Sequence, residues 1–193
     1  MDHTLLNKYH IILASQSPRR QQLLKELGLN FSIEVREIDE VYPAHLQREE
    51  IPVYLAQLKA KVFENSLSKN QLVITADTIV WLNNHVLGKP TDFDDALNML
   101  QSLSGNTHTV YTGVCLKSLS KETTFWAKTD VHFKVLSEEE ITYYLKTHKP
   151  YDKAGAYGIQ EWIGYIGIEH IEGSYFNVMG LPVQKLYEHL KRF

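Results

Sequence analysis

The sequence predicts an α/β or α+β fold built around one sheet of mixed strand direction. Short apolar runs of strand character recur along the chain, and segments with apolar residues at helical spacing stand between them. The 193 residues, 44% of them apolar, suit one globular domain or two tightly joined lobes with a sizeable core.

The first apolar run, "YHIILAS" at 9–15, reads as a buried strand. Ser17 then fits the N-cap of a helix whose first turn takes Pro18, because proline has no N–H to lose there. Leu23, Leu24 and Leu27 follow at helical spacing, and Gly28 ends the helix. "FSIEV" alternates as a strand does, and "REIDEVYP" is a polar loop. Residues 52–68 carry Leu55, Leu58, Val62 and Phe63 at helical spacing. "QLVITAD" reads as a buried strand, and "TIVWLNNHVLG" as a hairpin turning at Asn83-Asn84. Asp92 caps a helix running to Leu103. "NTHTVYTGVCLKS" and "TTFWAKTDVHFKVL" are long strands, the second with Thr129, Val131, Phe133 and Val135 on one face. Ser137 and Glu140 form a capping box. "YIGIEHIEGSYFNVMG" holds two short strands, and Pro182 opens a C-terminal helix. There is no internal repeat or low-complexity tract.

Charge and composition remove several function classes. A net charge of -3 argues against a nucleic-acid binder, so any anion site must come from local clustering of Lys and Arg. The one cysteine, Cys115, cannot form an internal disulfide and fits a small buried hydrophobe in a strand better than a nucleophile. "IILA" is too short for a signal peptide, and no window approaches the roughly 20 apolar residues that span a bilayer. A soluble cytoplasmic protein with no membrane partner is expected.

The stretch "LASQSPRR" poses the chemical question. A strand ending in Ser15 and Ser17 before a helix presents backbone N–H groups, hydroxyls and the positive end of the helix dipole, which together favour an anion. Arg19 and Arg20 stand in the first turn, where the dipole disfavours cations unless a phosphate chain pairs with them. Two solvated surface arginines fit the pattern as well. Asp77, at the end of a buried run, suits a base, a metal ligand or a turn cap. Glu37, Asp39 and Glu40 offer hard oxygens of the kind Mg²⁺ or Mn²⁺ takes, or form a solvated acidic loop. Lys59 lies in a helix, where a lysine is usually just solvated, and Lys89 in a Gly-Lys-Pro turn that can aim its ammonium inward. Gln160 follows "AGAYGI", a loop with two close glycines, and can read a base edge or cap a turn. The set suits a metal-dependent enzyme acting on a phosphorylated molecule.

Eight motifs in order, "LASQSPRR", "DE" at 39–40, "LAQLKAK", "ADTIV", "LGKP", "LSGNTHTVYTGV", "KAGAYGIQ" and "GSYFNVMGLPV", resemble the Maf family of nucleoside triphosphate pyrophosphatases from about residue 10 to the C-terminus. The resemblance implies an α/β fold related to the house-cleaning inosine triphosphate pyrophosphatases. In it a long, mixed, twisted central sheet is flanked by helices, and residues 1–193 make one domain of two lobes with the site in the cleft between them. It implies metal-dependent hydrolysis of a nucleoside triphosphate to monophosphate and pyrophosphate. Asp77 resembles the family's proton acceptor, and Ser15, Arg20, Glu40, Lys59 and Lys89 match its other polar positions. Arg20, Lys59 and Lys89 then hold the triphosphate and stabilise developing charge. Glu40 and Asp77 hold Mg²⁺ or Mn²⁺.

Three positions separate the family's types. Arg19, Thr78 and Gln160 resemble the dTTP/UTP type, whereas the 7-methyl-GTP type has Trp, Gln and Glu there. An arginine and a neutral amide match the carbonyl and imide groups of uracil and thymine. A dTTP/UTP pyrophosphatase is therefore implied, acting on normal or modified pyrimidine nucleotides. The alternative is a nucleotide-binding regulator of septum formation with little turnover. Many relatives continue after Gln160 with a Gly-rich turn, where this chain has Glu161-Trp162-Ile163-Gly164. Trp162 there fits the core, an interface or the base pocket. The family often dimerises, so a homodimer is expected, with Tyr175, Phe176 and Tyr187 as core or dimer surface.

Overall fold

The computed structural model describes residues 8–193. The reading of the N-terminus as lacking a signal peptide falls partly on residues 1–7, outside the described residues. The strands are β1 (His10–Leu13), β2 (Phe31–Ile33), β3 (Gln71–Leu82), β4 (His85–Leu87), β5 (Thr107–Lys117), β6 (Glu122–Phe133) and β7 (Ile168–Glu172). The helices are α1 (Pro18–Glu26), α2 (Glu50–Lys61), α3 (Phe93–Leu103), α4 (Glu138–His148), α5 (Trp162–Gly167), α6 (Tyr175–Val178) and α7 (Val183–Arg192), with one 3-10 turn at Ala154–Ala156.

All seven strands join one sheet in the order β2-β1-β3-β5-β6-β7, with β4 paired to β3. β1 runs parallel to β2 and β3, while β4 and β7 pair antiparallel with β3 and β6. The sheet is therefore mixed, as the sequence predicts, and the fold is α/β. No described helix is long and apolar enough to cross a membrane.

The chain divides into two compact units. The first takes the chain up to Asp77, Thr112–Ala127 and Gly180–Phe193; the second takes Thr78–Tyr111 and Lys128–Met179. In the first, Ile12, Phe63, Leu67 and Val73 pack together, and Ala56 and Ala60 of α2 lie against Cys115. Cys115 is fully buried, and burial pushes its thiol up to about 12, so it is an inert core residue. In the second, Leu100 and Leu103 of α3 pack with Ile141, Tyr144 and Leu145 of α4 and with Val131 and Phe133 of β6.

Local chemistry set most boundaries. Ser17, Asp92 and Ser137 cap α1, α3 and α4, and Ser137 and Glu140 close a full capping box. Asn83 and Asn84 both take positive φ, as a tight hairpin turn requires. Three expectations need correction. α2 begins at Glu50 and ends at Lys61, because Pro52 fits a first turn and Val62 already leaves the helix. Val135 is 79% exposed, since the strand ends at Phe133 and alternation no longer governs it. The segment 165–180 holds one strand and two short helical pieces, the end of α5 and α6, rather than two strands. Tyr175 and Phe176 are exposed and Tyr187 is half-buried.

His108 of β5 is 1% exposed and packs between the rings of Phe133 and Tyr157. Its Nε2 lies 2.7 Å from the Tyr157 hydroxyl, while its Nδ1 is buried without a partner. Burial holds the imidazole down to about 3, so it stays neutral in the folded state. The unfolded chain takes a proton near pH 6.5 that the folded chain refuses, so stability present above that pH is lost as pH falls toward 3. Going from pH 7 to pH 5 should cost about 2 kcal/mol through this group alone. Urea unfolding of His108→Gln at both pH values should show a pH-dependent loss smaller by about that amount.

Candidate active site

The β1–α1 corner places Ser15 and Arg20. Ser15 is buried at the end of the β1 run, where its Oγ accepts from the Ser17 N–H at 3.2 Å. Arg20 is half-buried and reaches back across the corner. Its Nη1 donates to the Ala76 carbonyl at 2.9 Å and to Ser15 Oγ at 3.4 Å, and its Nε donates to the Gly180 carbonyl at 2.8 Å. Two carbonyls from distant parts of the sequence thus hold the planar guanidinium beside Asp77. The helix N-terminus is less open than the sequence suggests. The Arg20 N–H points to Ser17 Oγ, the Ser17 N–H goes to Ser15, and Pro18 has none. Arg19 is half-buried in the same first turn.

A second set of contacts places Lys59 over the end of the first part of β3. Thr75 is fully buried and donates its hydroxyl to the Ala56 carbonyl at 2.6 Å, which fixes α2 along β3. Lys59 is three residues after Ala56, on the same helix side, and Asp77 is two residues after Thr75, on the same strand face. Lys59 Nζ accordingly donates to Asp77 Oδ1 at 2.6 Å. The same ammonium lies 3.0 Å from Glu40 Oε1. Glu40 comes from the β2–α2 loop, which Arg36 fastens. The Arg36 guanidinium stacks 4.1 Å from the centre of the Phe63 ring, and its Nη1 donates to the Val62 carbonyl at 2.6 Å. A cation–π contact of this kind contributes about 1 kcal/mol.

Asp77 is 7% exposed. Burial pushes its carboxyl above the ordinary value, against the pull of the Lys59 and Arg20 cations. A carboxylate raised in this way is a stronger base near neutral pH. The Asp77 and Glu40 carboxylates both meet one ammonium, so their oxygens already converge on a cation. Such a pair fits Mg²⁺ or Mn²⁺, which takes one or two carboxylates and completes its shell with waters and substrate phosphates. No group of three or more His, Cys, Asp or Glu able to hold a metal occurs among the described residues.

Five of the predicted residues, Ser15, Arg20, Glu40, Lys59 and Asp77, thus belong to one compact unit and are linked through Lys59 and the Ala76-Asp77 step. Thr78 follows directly on β3 and is half-buried. Lys89 is exposed in the turn after β4. The Gly88 carbonyl beside it accepts from the Gly155 N–H at 3.0 Å, which ties that turn to the segment leading to Gln160. Gln160 is half-buried, and its Oε1 is buried with no hydrogen-bond partner.

A model of the Maf-like protein family matches residues 10–193. The chain belongs to the Maf family. Its Maf relatives include proteins named dTTP/UTP pyrophosphatase from three bacteria. That of Phocaeicola vulgatus is 56% identical over 97% of each chain. Those of Bacteroides thetaiotaomicron and Porphyromonas gingivalis are 53% and 51% identical, covering 97% of this chain and 97% and 96% of theirs. Among solved structures, a nucleoside-triphosphatase/dITP/XTP pyrophosphatase of Mycobacterium abscessus is 14% identical with a TM-score of 0.45, covering 95% of this chain and 94% of that one. A likeness at that level carries no argument about the site.

Sequence reasoning missed part of what seats these residues. The Ala76 and Gly180 carbonyls that seat Arg20 have no residue-type signature, because any residue supplies a carbonyl. It also missed the contacts that Lys153 and Tyr144 make with Glu161 around the turn that carries Gln160. A buried lysine gives no periodic signal; only the adjacent Asp152 hints at a paired charge. Trp162 packs edge-on against Tyr143, with ring centres 4.8 Å apart.

Proposed function

We propose that this protein hydrolyses dTTP and UTP, and modified pyrimidine nucleotides of the same shape, to the nucleoside monophosphate and pyrophosphate. The observation that carries the chemistry is the buried Asp77 carboxylate held against Lys59, with Glu40 on the same ammonium and Arg20 alongside. The identity above 50% to proteins named dTTP/UTP pyrophosphatase supports the substrate.

Each residue then has a role. Arg20, Lys59 and Lys89 take the negative charge of the triphosphate, with Ser15 donating its hydroxyl beside them. Asp77 accepts the proton of the attacking water. The water oxygen bonds to the α-phosphorus as the bond from that phosphorus to the α–β bridging oxygen breaks, and the electron pair leaves with pyrophosphate. Asp77 and Glu40 would hold the divalent cation, which when bound neutralises phosphate charge and acidifies a bound water. Lys59, which here meets both carboxylates, would share them with a bound cation and turn charge to the phosphates.

Base choice rests on Arg19, Thr78 and Gln160. The Gln160 Oε1 is buried and unpartnered, so a base brought against it has to supply a donor. Thymine and uracil offer the imide N3–H; cytosine offers a lone pair at N3, which an amide oxygen repels. Leaving a buried acceptor unsatisfied costs about 1–3 kcal/mol, enough to weigh against the wrong base.

The test is a panel of dTTP, UTP, CTP, GTP and 7-methyl-GTP with Mg²⁺ or Mn²⁺, following pyrophosphate and orthophosphate separately. Pyrophosphate released chiefly from dTTP and UTP is the expected result. Preference for another nucleotide overturns the base assignment. Orthophosphate as the first product overturns the reaction, and binding without turnover moves the weight to a regulatory protein.

A further inference from the structure

The turn from Gly158 to Glu161 is locked from below by charged and polar groups that no part of the reaction requires. Lys153 is only 8% exposed, although it carries a charge. Its Nζ donates to Glu161 Oε1 at 3.0 Å and to Asp152 Oδ1 at 2.7 Å. The Tyr144 side chain on α4 is fully buried. Its hydroxyl donates to Glu161 Oε2 and accepts from the Gly158 N–H at 3.0 Å. The Glu161 N–H closes the turn on the Gly158 carbonyl at 3.0 Å, and the Glu161 carbonyl accepts from the Gly164 N–H at 2.9 Å.

The backbone requires glycine at one end of this arrangement, and the Glu161 side chain crowds the other. A Cβ at Gly158 would stand 2.8 Å from the Glu161 carboxyl carbon, and one at Gly164 would stand 1.9 Å from the Ile159 carbonyl oxygen. The Glu161 carboxylate therefore sits directly over the turn backbone, held by a phenol on one oxygen and an ammonium on the other. Burying an ion pair and a hydroxyl in this way adds little stability, because desolvation offsets most of the attraction. What such a network provides is one fixed geometry.

We infer that Tyr144, Lys153 and Glu161 are positioning residues for base selection: they fix the Gly158–Glu161 turn so that the Gln160 amide keeps its oxygen unpaired and aimed for a base. The inference rests on the reading of Gln160 as a base reader. A buried unpaired acceptor is tolerated only where its backbone cannot yield. In a loosened turn the amide would rotate to water, satisfy itself there and lose its preference for an imide donor. Glu161 is thus the residue that matters after Gln160, because both of its carboxylate oxygens are held.

The experiment compares kcat/KM for dTTP and CTP in wild type, Gln160→Ala, Tyr144→Phe and Glu161→Gln, with thermal stability measured on each. Glu161→Gln keeps the shape of the side chain and serves if Tyr144→Phe does not fold. The dTTP:CTP ratio should fall at least about tenfold in Gln160→Ala, and in Tyr144→Phe or Glu161→Gln by a similar factor, carried by KM for dTTP. If Gln160→Ala lowers the ratio while the folded Tyr144 and Glu161 variants keep the wild-type ratio and lose only thermal stability, the network is structural and the inference fails. If Gln160→Ala leaves the ratio unchanged, the base-reading role itself fails, and the inference with it.

Discussion

Asp77→Asn should lower kcat/KM for dTTP by about 10³-fold, the scale of a lost general base, while leaving the fold at least as stable as wild type. The two halves of this result have one cause. Burial raises the Asp77 carboxyl despite the nearby Lys59 and Arg20 cations. At neutral pH its ionised form therefore costs folding free energy instead of supplying it. Asn keeps the size and the hydrogen-bonding edge, removes the charge and removes the base. Lys59 retains Glu40 as its counter-ion, 3.0 Å away. Pyrophosphate release and urea unfolding, measured on the same preparation, check both halves. A variant that loses several kcal/mol of stability along with activity would make Asp77 chiefly the structural partner of Lys59.

Gly113→Ala should be the most damaging single-methyl change in the first unit. A Cβ at Gly113 of β5 would stand 2.4 Å from the Pro52 carbonyl carbon and the Val53 nitrogen, and 2.5 Å from the Pro52 oxygen. All three are backbone atoms of the first turns of α2, so no side chain can swing aside. The helix has to retreat by roughly 1 Å to restore van der Waals contact. Overpacking of this kind costs about 3 kcal/mol, and the apparent Tm should fall by about 6–12 °C. The consequence reaches the chemistry. The same helix is pinned by the Thr75–Ala56 bond and delivers Lys59 to Asp77. Turnover should drop in the folded variant as well. Unchanged stability, within about 0.5 kcal/mol, would mean that α2 has room to shift that the packing does not suggest.

The sequence was most informative where structure is local. Ser17 before Pro18, Asp92 before Phe93 and the Ser137–Glu140 pair satisfy helix N–H groups within three residues, so their caps are legible without neighbours. The Asn83-Asn84 turn is legible because few residues other than Gly and Asn accept positive φ. It failed where tertiary contact decides. Periodicity extended α2 past its end and carried the β6 alternation on to Val135, because a pattern does not say where packing stops. It read a strand where α6 forms, since four residues are too few to show a period.

The same division runs through the site. By itself the sequence determined which residue types are available: an acid at the end of a buried run, two arginines after a strand, a glutamine in a glycine-bearing loop, in the order of the Maf motifs. Those are properties of residue identity and spacing. Only the tertiary structure decided that one ammonium meets both Glu40 and Asp77, that Arg20 is seated by the Ala76 and Gly180 carbonyls, and that Lys153 and Tyr144 converge on Glu161. Apart from the Lys153–Glu161 pair, those contacts join segments far apart in the chain, and two of them use backbone atoms common to every residue. A hydrogen bond of that kind depends on distance and direction in space, which residue identity does not encode one position at a time.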